Sequence, residues 1–262
     1  MMDFPNYPYS EPLIFDSHAH YDDAKFDEFR TELLAELPAR GVCGVINCGC
    51  DAASSEKAVR LTEKYPYFYA AAGIHPENIG GGTTTEIERL AEHKKCVAIG
   101  EIGLDYYWVN DNKEQQKALF EEQLILANKL DLPVIVHDRD AHSDTLELLK
   151  KHCPKGVVHS FSGSAEMAEE ILKTGMYIGI GGVITFKNAR KLPEIVKTLP
   201  EDRILLETDA PYLTPVPYRS KINNSAMIFL TAQKVAELKN TTAESILRLS
   251  KQNAEKLFNI KV

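Results

Sequence analysis

The chain has 262 residues, with 30 Lys and Arg against 38 Asp and Glu, a formal charge of −8, in the composition of an ordinary globular protein. That balance argues against the broad basic face that tight, sequence-blind duplex binding needs, and no apolar run reaches the ~20 residues of a membrane span. Residues 1–11 are polar and proline-punctuated, without the basic start and apolar middle of a signal peptide, so they read as a short N-terminal arm on a cytoplasmic protein. The five scattered cysteines then read as reduced thiols.

Short β-branched apolar runs fall at Pro12–Asp16, Val42–Cys48, Tyr67–Ile74, Val97–Glu101, Leu132–His137, Gly156–His159, Met176–Gly181 and Arg203–Asp209. Bounded by Gly, Pro or polar residues, they read as buried parallel strands. Helical stretches lie between them: Phe26–Leu37, Ser54–Lys64, Thr84–His93, Lys113–Leu130, Ser143–His152, Ala165–Thr174 and Ala189–Leu199. The fourth shows its period through Leu119, Gln123, Leu126 and Leu130. Helices near Ala226–Leu238, Ala243–Ser250 and Gln252–Phe258 follow a proline-rich loop. Strands alternating with helices predict a single (β/α)8 TIM-barrel domain over residues 1–262, of the metal-dependent hydrolase type. An open doubly wound sheet fits less well, because candidate ligands follow strands throughout the chain instead of clustering at one switch point.

The chemistry is carried by position. Five of the eight histidines, His18, His20, His75, His137 and His159, lie at or just beyond the C-terminal end of a predicted strand, as do Glu101 and Asp209. In a barrel those ends open on one face, where active sites are built. In extended chain His18 and His20 share a side and can approach one cation together. His137 and His159, on adjacent strands, suit a second cation, and the two oxygens of Glu101 can bridge a pair. Asp209 can ligate a metal and accept a proton from an attacking water. Glu207 either orients a ligand histidine or pairs with a cation inside the barrel. Two ions held this way would clamp a phosphoryl group and generate a nucleophilic water. Phosphate donors are expected from His75, Arg139 and Arg219, with Lys221 left open. Tyr106, Tyr107, Trp108 and Tyr212 either stack bases or pack the rim.

From about Phe15 onward the chain resembles the TatD family of metal-dependent deoxyribonucleases, within the amidohydrolase-like barrels. The motifs are Asp16-Ser17-His18-Ala19-His20, Gly73-Ile74-His75-Pro76, Gly100-Glu101-Ile102-Gly103-Leu104-Asp105-Tyr106-Tyr107, His137-Asp138-Arg139, His159-Ser160-Phe161-Ser162-Gly163 and Glu207-Thr208-Asp209-Ala210-Pro211. The resemblance implies His18, His20 and Asp209 around one divalent ion, His137 and His159 around another, and Glu101 between them. It implies Mg²⁺, Mn²⁺ or Zn²⁺ as cofactors and hydrolysis of DNA phosphodiesters, 3′ to 5′ from single-stranded ends. RNA is a further possible substrate, and the expected protein is a monomer away from membranes. Alternatives on the same barrel are a D-aminoacyl-tRNA deacylase and a hydrolase of small esters or phosphoesters. After Pro215-Val216-Pro217-Tyr218-Arg219 the family pattern continues Gly-Lys-Arg-Asn-Glu-Pro, whereas here it reads Ser220-Lys221-Ile222-Asn223-Asn224-Ser225; the Arg, Lys and Asn at 219, 221 and 223 are kept and the Glu and Pro are not.

Overall fold

The computed structural model describes residues 4–262; of the arm read over residues 1–11, residues 1–3 lie outside the described residues. The strands are β1 (Ile14–Ala19), β2 (Val42–Cys48), β3 (Phe68–Ala72), β4 (Cys96–Asp105), β5 (Val134–Arg139), β6 (Gly156–Val158), β7 (Tyr177–Ile180) and β8 (Ile204–Leu206). The helices are α1 (Arg30–Glu36), α2 (Ala52–Lys64), α3 (Thr84–Ala91), α4 (Lys113–Leu130), α5 (His142–His152), α6 (Ala165–Lys173), α7 (Lys191–Thr198), α8 (Ile228–Lys239) and α9 (Ala243–Phe258). The eight strands make one sheet in the order β1 to β8. A parallel bridge between Ala19 and Ala210 returns the chain beyond β8 to β1. The fold is therefore the predicted (β/α)8 barrel. The uninterrupted burial of β1 and of all ten residues of β4 explains why their sequences are apolar runs without alternation. No helix among the described residues is long and apolar enough to cross a membrane.

The chain divides into two compact units, residues 1–47 with 179–262, and residues 48–178. In the first unit the arm is held by Tyr7. Its hydroxyl donates to the Glu11 carbonyl at 2.6 Å and accepts from the Leu13 amide at 3.0 Å. Its ring lies over Gly41, whose φ of +87° ends the turn after α1 and where a Cβ would come within 2.4 Å of the ring. The helix predicted from Phe26 begins only at Arg30. The Arg30 guanidinium instead gathers the Tyr21, Asp22 and Asp23 carbonyls and so holds the preceding segment in turns. The two short helices predicted at the C-terminus are one, α9. Ser250 and Asn253, which look like a break, are anchors: the Ser250 hydroxyl accepts from the Leu206 amide, and the Asn253 amide donates to the Glu201 and Ile204 carbonyls.

In the second unit α4 has the predicted ends, but its buried face runs through Gln116, Phe120, Gln123, Leu124, Leu126 and Ala127, while Leu119 and Leu130 are only half-buried. The two buried glutamines act as backbone substitutes. Gln123 pairs with both the amide and the carbonyl of Ile74, at 2.8 and 3.0 Å, and Gln116 does the same for Asp105, at 2.8 and 2.9 Å. Strand β4, predicted to end at Glu101, continues to Asp105. After an irregularity between Ile99 and Ile102 it resumes pairing with β5 through Asp105 opposite Arg139. Gly103 permits this, because a Cβ there would lie 2.0 Å from the His137 carbonyl oxygen.

Candidate metal centre

In the first unit three of the predicted ligands meet. His18 lies inside β1 and His20 one residue past its end. Asp209 follows β8, and the two segments are stitched by backbone bonds, Asp209 amide to His18 carbonyl at 2.9 Å and His20 amide to Ala210 carbonyl at 2.7 Å. The Nε2 atoms of His18 and His20 are 2.9 Å apart, and Asp209 Oδ1 is 3.6 and 3.4 Å from them. Asp209 sits at φ +57°, a left-handed conformation that Asp tolerates better than most residues. His18 is fully buried, whereas the Asp209 side chain is one-fifth exposed.

Asp16, which was not singled out as a site residue, fixes this arrangement. It is fully buried. Its carboxylate accepts from the amides of His18 and Thr208, at 3.2 and 3.0 Å, and from the hydroxyls of Thr208 and Ser225, at 2.6 and 2.7 Å. The Ser225 hydroxyl also lies 2.8 Å from the Tyr21 hydroxyl, which accepts from the Ser225 amide at 2.7 Å. One carboxylate thus ties the strand carrying the histidines to the loop carrying Asp209. Burial pushes the Asp16 carboxyl up to about 6, against the pull of those hydrogen bonds.

The second unit assembles another group. Glu101 Oε1 lies 2.7 Å from His159 Nε2 and 3.0 Å from His137 Nδ1, and those two nitrogens are 3.3 Å apart. His137 Nε2 is 2.9 Å from Asp105 Oδ2, so its proton belongs there and Nδ1 is left to face Glu101 and His159. Asp105 thus orients His137, a role the sequence reading did not give it. Its place in the Gly100–Tyr107 motif, two residues past Gly103, was the available signal. Glu207 itself is buried just beyond β8, with its side chain against Gly181. Burial alone would lower the His137 imidazolium, but hydrogen bonds to Asp105 and Glu101 outweigh it and raise its pKa to about 10. Burial would raise Asp105, yet the bond from His137 and the amides of Trp108 and Tyr107 bring it below the usual carboxylate range.

His75 joins this second group. Its ring centroid is 4.4 Å from that of His137, and Nε2 is 3.5 Å from Glu101 Oε1. Its Nδ1 accepts the Glu77 amide at 3.2 Å, which leaves the proton on Nε2 as a donor. Burial, and then the neighbouring His137, lower its pKa and keep it neutral. Arg139 and Arg219 are exposed, each stacked on an aromatic ring, Tyr107 at 4.7 Å and Phe186 at 3.7 Å. Arg219 also donates to the Thr214 carbonyl at 3.1 Å. Asn223, in the divergent loop, is buried and donates to the Thr208 and Tyr212 carbonyls, at 2.9 and 2.7 Å.

Two sets of imidazole nitrogens and carboxylate oxygens, each with its donor atoms within 4 Å of one another, have the chemistry of divalent-cation sites. Residues 15–259 match the family of TatD related DNases. The chain belongs to the TatD family. The uncharacterized metal-dependent hydrolase YabD of Bacillus subtilis (strain 168) is 40% identical over 254 residues, spanning 95% of this chain and 100% of its own. The 3′-5′ ssDNA/RNA exonuclease TatD of Erwinia tasmaniensis is 35% identical over 259 residues, 94% of this chain and 100% of its own. The crystal structure of the TatD homologue YJJV from Escherichia coli K12 superposes with a TM-score of 0.88 at 33% identity, covering 95% of this chain and 99% of that one. This TatD-family chain is accordingly a metal-dependent hydrolase.

Proposed function

We propose that the chain is a deoxyribonuclease that removes nucleotides from single-stranded DNA ends, 3′ to 5′, with RNA as a second substrate. The observation that carries this reading is the pair of donor groups, His18–His20–Asp209 and Glu101–His137–His159, each gathered tightly enough to hold an ion. The exonuclease name of the Erwinia relative supports the substrate.

In this reading His18, His20 and Asp209 would hold one divalent ion, and Glu101, His137 and His159 would hold another. When bound, the ions supply charge that polarises the phosphoryl group and acidifies water at neutral pH. The chain's own residues do the rest. Asp209, a carboxylate one-fifth exposed to solvent, would receive the proton from the attacking water. Asp105 keeps the His137 ring turned so that Nδ1 faces inward. Neutral His75 donates from Nε2 to a phosphate oxygen. Arg139 and Arg219 present guanidinium forks to the strand.

Purified protein with Mg²⁺ or Mn²⁺ should shorten a 3′-labelled or 5′-labelled single strand from its 3′ end. Glu101→Ala and His137→Ala should reduce kcat/KM by at least about a hundredfold, and Arg139→Ala by no more than about tenfold. Folded protein that leaves every single strand intact with Mg²⁺, Mn²⁺ and Zn²⁺ would overturn the reading. Undiminished turnover by Glu101→Ala would overturn the assignment of that carboxylate.

A further inference from the structure

Strand β4 is followed by three successive aromatic residues with different fates. Tyr106 is anchored: its amide donates to the Arg139 carbonyl at 2.9 Å and its hydroxyl to Asp144 at 2.7 Å. Tyr107 and Trp108 turn outward, 50% and 68% exposed, and Trp108 is the most exposed of the large apolar residues described. They are nevertheless held. Asp105 Oδ1 accepts both of their amides, at 2.9 and 2.7 Å, and their rings meet edge to face with centroids 4.7 Å apart. The Arg139 guanidinium lies 4.7 Å over the Tyr107 ring. Among the described residues Arg139 forms no ion pair, in a chain with an excess of eight negative charges.

A fixed, exposed aromatic pair beside an unneutralised arginine contributes little to a folded core. It has the parts of a site for an unpaired base and its phosphate: ring faces for stacking and a planar cation for the backbone. It is also continuous with the metal centre, since the other oxygen of Asp105 orients His137. We propose that Tyr107, Trp108 and Arg139 form a platform that binds an unpaired base of the single-stranded DNA substrate. This rests on the nuclease reading above and deepens it. A duplex end keeps its bases in the stack and has none to offer the platform, which makes the preference for single strands a property of this turn.

Trp108 is the chain's single tryptophan, so its fluorescence reports the platform directly. A phosphorothioate oligothymidylate, which resists cleavage, is titrated into the protein with Mg²⁺ present. Its binding should quench Trp108, and a blunt duplex of the same length should not. By anisotropy of a labelled phosphorothioate strand, Tyr107→Ala and Trp108→Ala should each weaken binding roughly tenfold, and Arg139→Ala severalfold. With cleavable DNA the loss should fall on KM more than on kcat, in variants whose circular dichroism matches the parent. Saturation by single strand without quenching, equal quenching by duplex, or parental affinity and KM in the Tyr107→Ala/Trp108→Ala double variant would overturn the platform while a cleaving parent kept the nuclease reading. Quenching and weakened variants around a parent that cuts no strand would support the platform and sink the nuclease reading. A parent that neither binds nor cuts sinks both.

Discussion

Asp105 divides its two oxygens between His137 on one side and the amides of Tyr107 and Trp108 on the other. Replacing it with Asn keeps the size but removes the charge that holds the His137 proton on Nε2. Asp105→Asn should therefore raise the metal concentration needed for half-maximal activity by roughly ten- to a hundredfold, with turnover recovering at excess metal. An unchanged metal requirement would show that His137 does not need this partner. The raised pKa of His137, about 10, has its own consequence. Without metal the imidazole is protonated at neutral pH, and a cation arriving at Nδ1 must displace that proton. Metal affinity should fall by up to about tenfold for each unit of pH below that value, and binding should release protons, measurable by calorimetry in buffers of differing ionisation enthalpy. Affinity independent of pH between 6 and 8 would contradict it.

At the level of elements, the divergent loop makes contacts at Ser225 that a proline could not. In the family pattern position 225 is proline, which has neither a hydroxyl nor an amide hydrogen to offer. Ser225 supplies both, to Asp16 and to Tyr21. Ser225→Ala leaves a buried carboxylate short of a donor and should cost about 1–3 kcal/mol in urea unfolding. A loss within error would mean that the remaining donors suffice. What could be read from sequence here follows from how local the causes are. The ends of β2 and α4 were legible because strand and helix periodicity, with glycine or proline stops, decide them. The overrun of β4 was not, because it depends on pairing with β5 across Gly103. The unity of α9 was hidden because Ser250 and Asn253 bond to a distant strand. The histidines that cluster were legible as a class, since charged or polar residues ending apolar runs have few reasons to be there. The residues that orient them, Asp16 and Asp105, were not, because a carboxylate's partners are set by the folded backbone.

For the whole molecule, the negative net charge and the clustered ligands pull in different directions. Carboxylates and imidazoles crowded together repel or compete for protons until cations arrive, so metal should stabilise the fold strongly. At about a hundred times Kd a bound ion contributes about 2.7 kcal/mol. Chelation should lower Tm by several degrees, and the difference should vanish in a His137→Ala/His18→Ala variant. Equal Tm with and without chelator in the parent would argue against both ion sites. The placement of the donors along the chain has a temporal side. His18 and Asp209 are separated by most of the polypeptide, and a ribosome adding about 5–20 residues per second makes one roughly 10–40 seconds before the other. Throughout that interval the amino-terminal histidines exist without the Asp209 carboxylate, so an ion that needs all three donors can be held only after Asp209 has been made.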